Sequence, residues 1–216
     1  MKKNIAVILA GSGVYDGSEI YESTLTLLYL DAHGVNVSCF APNINQHHTI
    51  NHGTGDESNQ IRNVLVESAR IARGNVSDLE ALNMNTFDAV IIPGGFGVAK
   101  NLCDFAFKGS KCSVIPVINK TVLTCQKLRK PMVFMCIAPA IAAKCIPGVK
   151  ITIGNDADTA TALSNMGATH INTAVDNFVF DEEKLVLSTP AYMLANSISE
   201  AASGIEKCIN KLLNII

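Results

Sequence analysis

One cysteine stands where a strand is expected to end and a helix to begin. Cys136 follows the apolar run of residues 131–135 and precedes the small residues Ala138-Pro139-Ala140. Proline suits the first turn of a helix, where its missing N–H has no partner to lose. The partial positive charge of a helix N-terminus favours the thiolate, the reactive form of cysteine. This context favours a reactive Cys136 over the alternative, a small apolar residue of the core.

Two glycines follow another buried strand, predicted over residues 88–92, in the segment Pro93-Gly94-Gly95. Backbone N–H groups in a glycine-rich turn can point freely at a bound oxygen atom. The N–H of Gly95 and the N–H of Ile137 are therefore candidates for an oxyanion hole. The alternative is an ordinary turn, which a pair of glycines does not by itself exclude.

Two acidic residues lie in the first turns of the helix predicted after the first strand. Glu19 and Glu22 are three residues apart and share a helix face. One of these carboxyl groups could point across the strand ends toward Cys136, accept a hydrogen bond from the sulfur and transfer protons. The alternative is a capping residue and a solvated carboxylate.

The other polar clusters do not build a cofactor site. Gly11-Ser12-Gly13 lacks the last glycine of the dinucleotide fingerprint, because position 16 is Asp. His47, His48 and His52 are scattered along a polar stretch, and the sequence contains neither a CxxC nor a CxxH pair. We therefore expect no cofactor and no metal.

The composition indicates a globular enzyme-sized domain. With 216 residues, 48% hydrophobic and 17% charged, the chain can fill one core, so we predict a single domain over residues 1–216. The net charge of −2 and the absence of a Lys/Arg cluster exclude nucleic acid as an expected partner. The apolar run of residues 5–10 is too short for a signal peptide or a membrane span. Seven widely spaced cysteines indicate reduced thiols. Because no amphipathic, Arg-rich presequence precedes the first predicted strand, we expect a cytoplasmic protein without a membrane partner.

Strands and helices alternate along most of the sequence, which predicts an α/β fold with a doubly wound, mostly parallel sheet between helices. A polar loop is expected over residues 43–60. The predicted strands are residues 5–9, 35–40, 88–92, 131–135, 151–153, 170–175, 177–180 and 185–188. The predicted helices are residues 18–33, 63–73, 114–128, 138–144 and 194–213.

Two motifs carry a family resemblance. Residues 92–97 (Ile-Pro-Gly-Gly-Phe-Gly) and 134–140 (Phe-Met-Cys-Ile-Ala-Pro-Ala) resemble the ThiJ/PfpI superfamily, relatives of the class I glutamine amidotransferases. Residues 13–20, 99–102, 189–194 and 200–205 are similar to a bacterial, glyoxalase-type group within it. The resemblance implies a flavodoxin-like fold, commonly a homodimer, with the cysteine on a nucleophile elbow. It places the nucleophile on Cys136, the acidic partner on Glu22, and the oxyanion donors on Gly95 and Ile137.

The activity that the resemblance implies is a cofactor-free glyoxalase. Such an enzyme converts glyoxal, a small 2-oxoaldehyde, to glycolate, which is also interpreted as protein deglycation, and the group is linked to isoprenoid biosynthesis. The sequence departs from amidotransferases, because Ile137 stands where some superfamily members carry histidine and no His-x-Glu pair lies near the C-terminus. Two alternatives stay open at this point. Cys136 could be a redox sensor that oxidises to the sulfinic acid, with Glu22 protonated against it, or the protein could be a scaffold for isoprenoid metabolism.

Overall fold

A seven-stranded sheet forms the centre of the protein in a computed structural model that describes residues 2–216. The strands are β1 (Asn4–Ile8), β2 (Asn36–Ala41), β3 (Thr49–Ile50), β4 (Glu57–Ser58), β5 (Val76–Asp78), β6 (Ala89–Ile92), β7 (Met132–Met135), β8 (Lys150–Ile151), β9 (Thr169–His170), β10 (Val179–Asp181) and β11 (Val186–Thr189). The α-helices are α1 (Ile20–Ala32), α2 (Val64–Ile71), α3 (Phe105–Lys108), α4 (Pro116–Lys127), α5 (Pro139–Cys145), α6 (Ala157–Asn165) and α7 (Ile198–Ile215). A π-helical turn, Val98–Leu102, follows β6, and a short 3-10 turn, Ala191–Met193, follows β11.

The strand order across the sheet is β10-β11-β7-β6-β1-β2-β5, and only the β10–β11 pair is antiparallel. Because parallel neighbours need crossover connections, helices cover both faces of the sheet. This arrangement confirms the predicted α/β fold with a mostly parallel, flavodoxin-like sheet.

Two apolar layers lie on the two faces of the sheet. Successive side chains of a strand point to opposite faces, so Ile5 and Val7 of β1 pack on the face covered by α1 and α7, whereas Ala6 and Ile8 pack on the other. Helices α4 and α5 contribute to that second layer. The complete burial of β1, β6 and β7 explains why these strands are continuous apolar runs in the sequence.

Several predictions for the elements outside the central strands were wrong. The strand expected over residues 170–175 is reduced to β9, because among residues 2–216 it pairs with the two-residue β8 alone, after which Gly154 turns the chain at a φ of 104°. The strand expected over residues 151–153 likewise ends at Ile151. The expected loop of residues 43–60 contains the hairpin of β3 and β4. Helix α6 and strand β5 were not predicted.

The chemistry-bearing residues meet at one edge of the sheet, beyond the carboxyl ends of β1, β6, β7 and β11. This edge is where ligands bind in open α/β sheets. Within residues 2–216, no helix is long and apolar enough to cross a bilayer.

Candidate active site

Cys136 lies on a sharp turn between β7 and α5. Its φ of 57° is in the left-handed region, which non-glycine residues rarely adopt. Two bonds fix the turn: the N–H of Cys136 donates to the carbonyl of Thr189 at 3.0 Å, and the N–H of Ala138 donates to the carbonyl of Met135 at 2.9 Å. A strained backbone that its surroundings hold in place is a feature of functional sites. The turn therefore has the geometry of a nucleophile elbow.

Glu22 lies beside Cys136, in the first turn of α1, and is fully buried. One carboxyl oxygen, Oε2, accepts a hydrogen bond from the N–H of Gly94 at 2.7 Å, and Oε1 accepts one from the N–H of Tyr192 at 3.1 Å. The Cys136 side chain interacts with the same carboxyl group and lowers its pKa in part. A carboxyl group whose two oxygens both accept from backbone N–H groups is held in this position.

Glu19 supports Glu22 from the N-terminus of the same helix. Its Oε2 caps α1 by accepting a hydrogen bond from the N–H of Glu22 at 2.7 Å. Its own N–H donates to the carbonyl of Gly94 at 2.9 Å, which ties the start of α1 to the turn after β6. Glu19 is therefore the capping residue of the alternative interpretation, whereas Glu22 is not a solvated carboxylate.

The two glycines after β6 are required by close packing. A Cβ atom on Gly94 would lie 2.8 Å from Glu22 Oε2 and 2.9 Å from the carbonyl oxygen of Met135, and closer still to the Cβ of Cys136. Gly95 has a φ of 99°, and a Cβ atom there would collide with the backbone of Glu19. Only glycine allows this turn to approach the cysteine and the start of α1 at once.

Burial dominates the protonation of the pair. It raises the pKa of Glu22 from 4.5 to about 7, with a further contribution from the negative charge of Glu19. Burial, and then the neighbouring Glu22 carboxylate, raise the pKa of the Cys136 thiol well above its usual value. The N–H groups of Gly95 and Ile137 point at the sulfur and lower this pKa in part.

This result corrects the expectation that the helix N-terminus keeps the Cys136 sulfur ionised. The favourable backbone N–H groups are present, but the cost of burying the charge beside a carboxylate exceeds their effect. The thiol therefore holds its proton in the resting site. Glu22, with a pKa of about 7, is in position to accept that proton.

A cavity of about 440 Å³ opens at Cys136. Gly95 and Ile137 also line it, most of its lining is apolar, and Glu22 is not among the lining residues. Gly95 and Ile137, the two predicted oxyanion donors, therefore face the same space as the sulfur. A carbonyl compound in this cavity could contact the thiol and both N–H groups.

The histidines serve local contacts outside this cavity. His47 and His48 pack against the ring of Phe107, and His52 Nε2 accepts a hydrogen bond from the N–H of Tyr15 at 3.2 Å. His170 accepts a hydrogen bond from the N–H of Ile153, and the Nδ1 atom of His33 lies 2.8 Å from the carbonyl oxygen of Tyr29. Across residues 2–216, no group of three or more potential ligands could hold a metal ion.

Three contributions to the site come from backbone atoms and were not predicted. They are the N–H of Gly94, the N–H of Tyr192 and the carbonyl of Thr189. Residue type does not show which backbone groups will contact the site. Thr189 and Tyr192 lie in the segment 189–194 that carries part of the family resemblance, and this resemblance was the one indication in the sequence that the segment contributes to the site.

Curated proteins that resemble this chain cover almost all of it. The ES1 protein homolog of Rattus norvegicus is 39% identical over 99% of this chain and 84% of its own length. The glutamine amidotransferase-like class 1 domain-containing protein 3 of Homo sapiens is 39% identical over 98% of this chain and 82% of its length. The ES1 protein of Danio rerio is 33% identical over 88% and 77%. No protein-family model matches the sequence.

These relatives overturn the predicted cytoplasmic location, because all three are named mitochondrial proteins. The prediction depended on the absence of an amphipathic presequence before the first strand. Targeting segments are removable extensions, so the residues that fold into the domain carry no record of the compartment.

Solved structures resemble this chain either in both sequence and fold or in fold alone. An isoprenoid biosynthesis protein with an amidotransferase-like domain from Ehrlichia chaffeensis has a TM-score of 0.92 and 40% identity, covering 98% of both chains. A DJ-1 superfamily protein of Agrobacterium tumefaciens, at 16% identity, has a TM-score of 0.58 over 99% of this chain and shows the fold alone. The chain therefore belongs to the ES1 family of class I glutamine amidotransferase-like proteins, which has the DJ-1/ThiJ/PfpI fold.

Proposed function

We propose that the protein is a cofactor-free glyoxalase that converts glyoxal and related 2-oxoaldehydes to 2-hydroxy acids. The observation that carries the proposal is the fixed pair of Cys136 and Glu22 beside a cavity, with two backbone N–H groups at the sulfur. The resemblance of several segments to the bacterial glyoxalase ElbB supports the same activity. Protein deglycation would use the same chemistry on a protein-bound adduct.

The first step is attack of sulfur on the aldehyde carbon. Glu22 takes the thiol proton as the S–C bond forms, so a nucleophile arises only when substrate is present. The carbonyl oxygen becomes an alkoxide, which the N–H groups of Gly95 and Ile137 stabilise. Transfer of the proton from Glu22 to this oxygen gives the hemithioacetal.

The second step moves hydrogen between the two carbons. The Glu22 carboxylate removes the proton of the carbon bonded to sulfur and returns a proton to the neighbouring carbon. The hydroxyl proton on the first carbon passes to the oxygen of the second carbon. The first carbon is oxidised to a thioester and the second is reduced to an alcohol. Water then adds to the thioester, the C–S bond breaks, and glycolate and the Cys136 thiol are released. The reaction consumes only glyoxal and water.

Glycolate formation from glyoxal tests the proposal. Wild-type protein should form glycolate, and the Cys136→Ala variant should lose this activity by about a thousandfold or more, the order of effect seen when a nucleophile is removed. Cys208→Ala is a matched control, because Cys208 is a buried thiol of α7 within the apolar layer. Equal turnover by wild type and Cys136→Ala would overturn the proposal.

Redox sensing is the alternative use of the same cysteine. A sensor and a nucleophile both need the thiolate of Cys136, so its raised pKa does not separate them, whereas the cavity of substrate size at this cysteine favours the enzyme. Mass spectrometry after mild peroxide treatment separates the two. Selective oxidation of Cys136 in a protein without turnover would favour sensing.

We also propose a role in isoprenoid biosynthesis, without assigning the protein to a step of that pathway. The Ehrlichia chaffeensis relative is named for that process, and the glyoxalase group is linked to it. A glyoxalase would protect such metabolism from reactive aldehydes, whereas a scaffold would bind its enzymes. Affinity capture that recovers no enzyme of isoprenoid metabolism would contradict the scaffold.

A further inference from the structure

The cavity in front of Cys136 is much larger than glyoxal requires. Its volume of about 440 Å³ lies in the range of pockets that hold drug-sized ligands, ~300–1,000 Å³. Glyoxal consists of two joined aldehyde groups, and both must lie beside Cys136, Gly95 and Ile137 to react. Most of the cavity would then face no part of the substrate.

The wall around that unused space is mostly apolar, and its polar members are Glu19, Thr159 and Tyr192. Val14, Phe96, Phe105, Ile137 and Met193 contribute side chains of carbon or thioether, and Ala99 and Ala106 leave room between them. Such a wall stabilises a ligand in proportion to the apolar area that the ligand removes from water. A substrate without a substituent gains nothing from it.

The charge of the wall excludes anionic substituents. Among the described residues that line the cavity, none is Lys, Arg or His. Glu19, an acidic residue, lines it instead, and a negative substituent would be desolvated in this cavity without a cationic partner. Phosphate esters and carboxylated substrates are therefore disfavoured.

From these three features we infer that the preferred substrates are 2-oxoaldehydes with an uncharged apolar substituent of about the size of a phenyl ring. This inference rests on the proposed glyoxalase function and specifies its substrate class. The substituent would lie against Phe96 and Phe105, while the aldehyde lies at Cys136. The chemical steps are unchanged, and the product is the corresponding 2-hydroxy acid.

The test compares kcat/KM for three 2-oxoaldehydes: glyoxal, phenylglyoxal and 4-carboxyphenylglyoxal. Product acids are measured by chromatography, with Cys136→Ala as the blank for uncatalysed reaction. Phenylglyoxal should exceed glyoxal by at least about tenfold, since even one methylene group in an apolar pocket is worth roughly 10-fold to 200-fold. The carboxylated ring, of nearly the same shape, should lose at least about tenfold relative to phenylglyoxal.

A substitution in the wall ties the preference to this cavity. Ala106 is an exposed residue of α3 that lines the cavity, so Ala106→Trp would fill the space with little disturbance of the core. The ratio of kcat/KM for phenylglyoxal over glyoxal should fall by about tenfold or more. Phe107→Trp, at the next position of the same helix and outside the cavity lining, should keep the wild-type ratio.

The outcomes separate the two proposals. Cys136-dependent turnover of glyoxal at a rate equal to or above that of phenylglyoxal would overturn the substrate class and leave the glyoxalase function standing. A phenylglyoxal preference that survives Ala106→Trp would also overturn the inference. Absence of Cys136-dependent turnover of every 2-oxoaldehyde would overturn both.

Discussion

Glu22 determines when the site can react, because its carboxyl group is the acceptor for the thiol proton. Its pKa of about 7 divides the physiological range into a protonated and an ionised form. Only the ionised form can take the proton from Cys136, so kcat/KM should rise as pH rises through about 7. The raised pKa of Glu22 also affects stability, but in the opposite direction: its contribution to the free energy of unfolding should fall as pH rises.

The first prediction concerns the stability of the Glu22→Gln variant as a function of pH. A carboxyl group whose pKa is raised on folding stabilises the protein below pH 4.5 and loses that contribution as pH rises toward about 7. The shift corresponds to about 3 kcal/mol, since one pKa unit is ~1.4 kcal/mol. Glu22→Gln should remove this part of the pH dependence. Urea unfolding at pH values from 4.5 to 8 measures it.

A matched substitution shows whether the effect belongs to this position. Glu80 is an exposed glutamate far from the cavity, and Glu80→Gln should leave the pH dependence of stability as in the wild type. The absolute stability of Glu22→Gln is not the readout, because one amide oxygen cannot replace both carboxylate oxygens that accept from Gly94 and Tyr192. A Glu22→Gln curve parallel to that of the wild type would contradict the raised pKa.

At the scale of elements, the π-helical turn Val98–Leu102 holds together the loops around the cavity. Asn101, buried in this turn, donates two hydrogen bonds of 3.0 Å from Nδ2, to the carbonyls of Ala10 and Asp16. Its Oδ1 accepts a third, from the N–H of His47 at 2.9 Å. One side chain thus links the β1–α1 loop, which leads to Glu22, with the segment before β3.

The second prediction follows from these three bonds. Asn101→Ala leaves buried backbone groups without partners and should lower the free energy of unfolding by about 3 kcal/mol. Because the β1–α1 loop then loses an anchor, kcat/KM for glyoxal should fall by about tenfold. Urea unfolding and glycolate formation measure the two effects. Asn59→Ala, at an exposed asparagine, should change neither, and an Asn101→Ala variant with wild-type stability would refute the role given to the turn.

The elements that could be predicted from sequence are those whose apolar pattern reflects burial. β1, β6 and β7 are buried on both faces, and α7 has a regular apolar stripe against the sheet. Helix α6 has no such stripe, since Leu163 is its one buried residue and its remaining residues are largely polar or small. Its start was readable only from Asp156, whose side chain caps the helix by accepting from the N–H of Thr159 at 2.8 Å.

At the scale of the whole molecule, some features of the candidate site could be predicted from the sequence and others could not. Cys136 and Gly95 could be proposed from residue type and position at a strand end, whereas the choice of Glu22 over Glu19 came from the family resemblance. The contact of Glu22 with Tyr192 could not, since it joins residues 170 positions apart through a backbone N–H. The raised thiol pKa also depends on complete burial of the pair, which no local pattern reports.

The last prediction concerns assembly. The homodimer implied by the family resemblance requires a surface, and α1 offers one: Tyr21 and Leu28, seven residues apart on one helix face, are 47% and 54% exposed. Large apolar side chains grouped on one helix face indicate an interaction site. We expect the wild type to sediment at twice the chain mass of 23.0 kDa. Leu28→Glu should produce monomers, because it places a charge in an apolar contact.

Two controls test whether a loss of the dimer is specific to α1 and whether the variant is folded. Ile61→Glu changes another exposed apolar residue, outside α1 and 82% exposed, and should leave the dimer intact. Circular dichroism of Leu28→Glu should match that of the wild type, since Leu28 faces solvent in the single chain. If both substitutions dissociate the dimer, the interface is not formed by α1 alone. A monomeric wild type at micromolar concentration would refute the dimer. Because Tyr21 packs near Tyr192 at the cavity, a dimer through this helix face would bring the second subunit close to the active site.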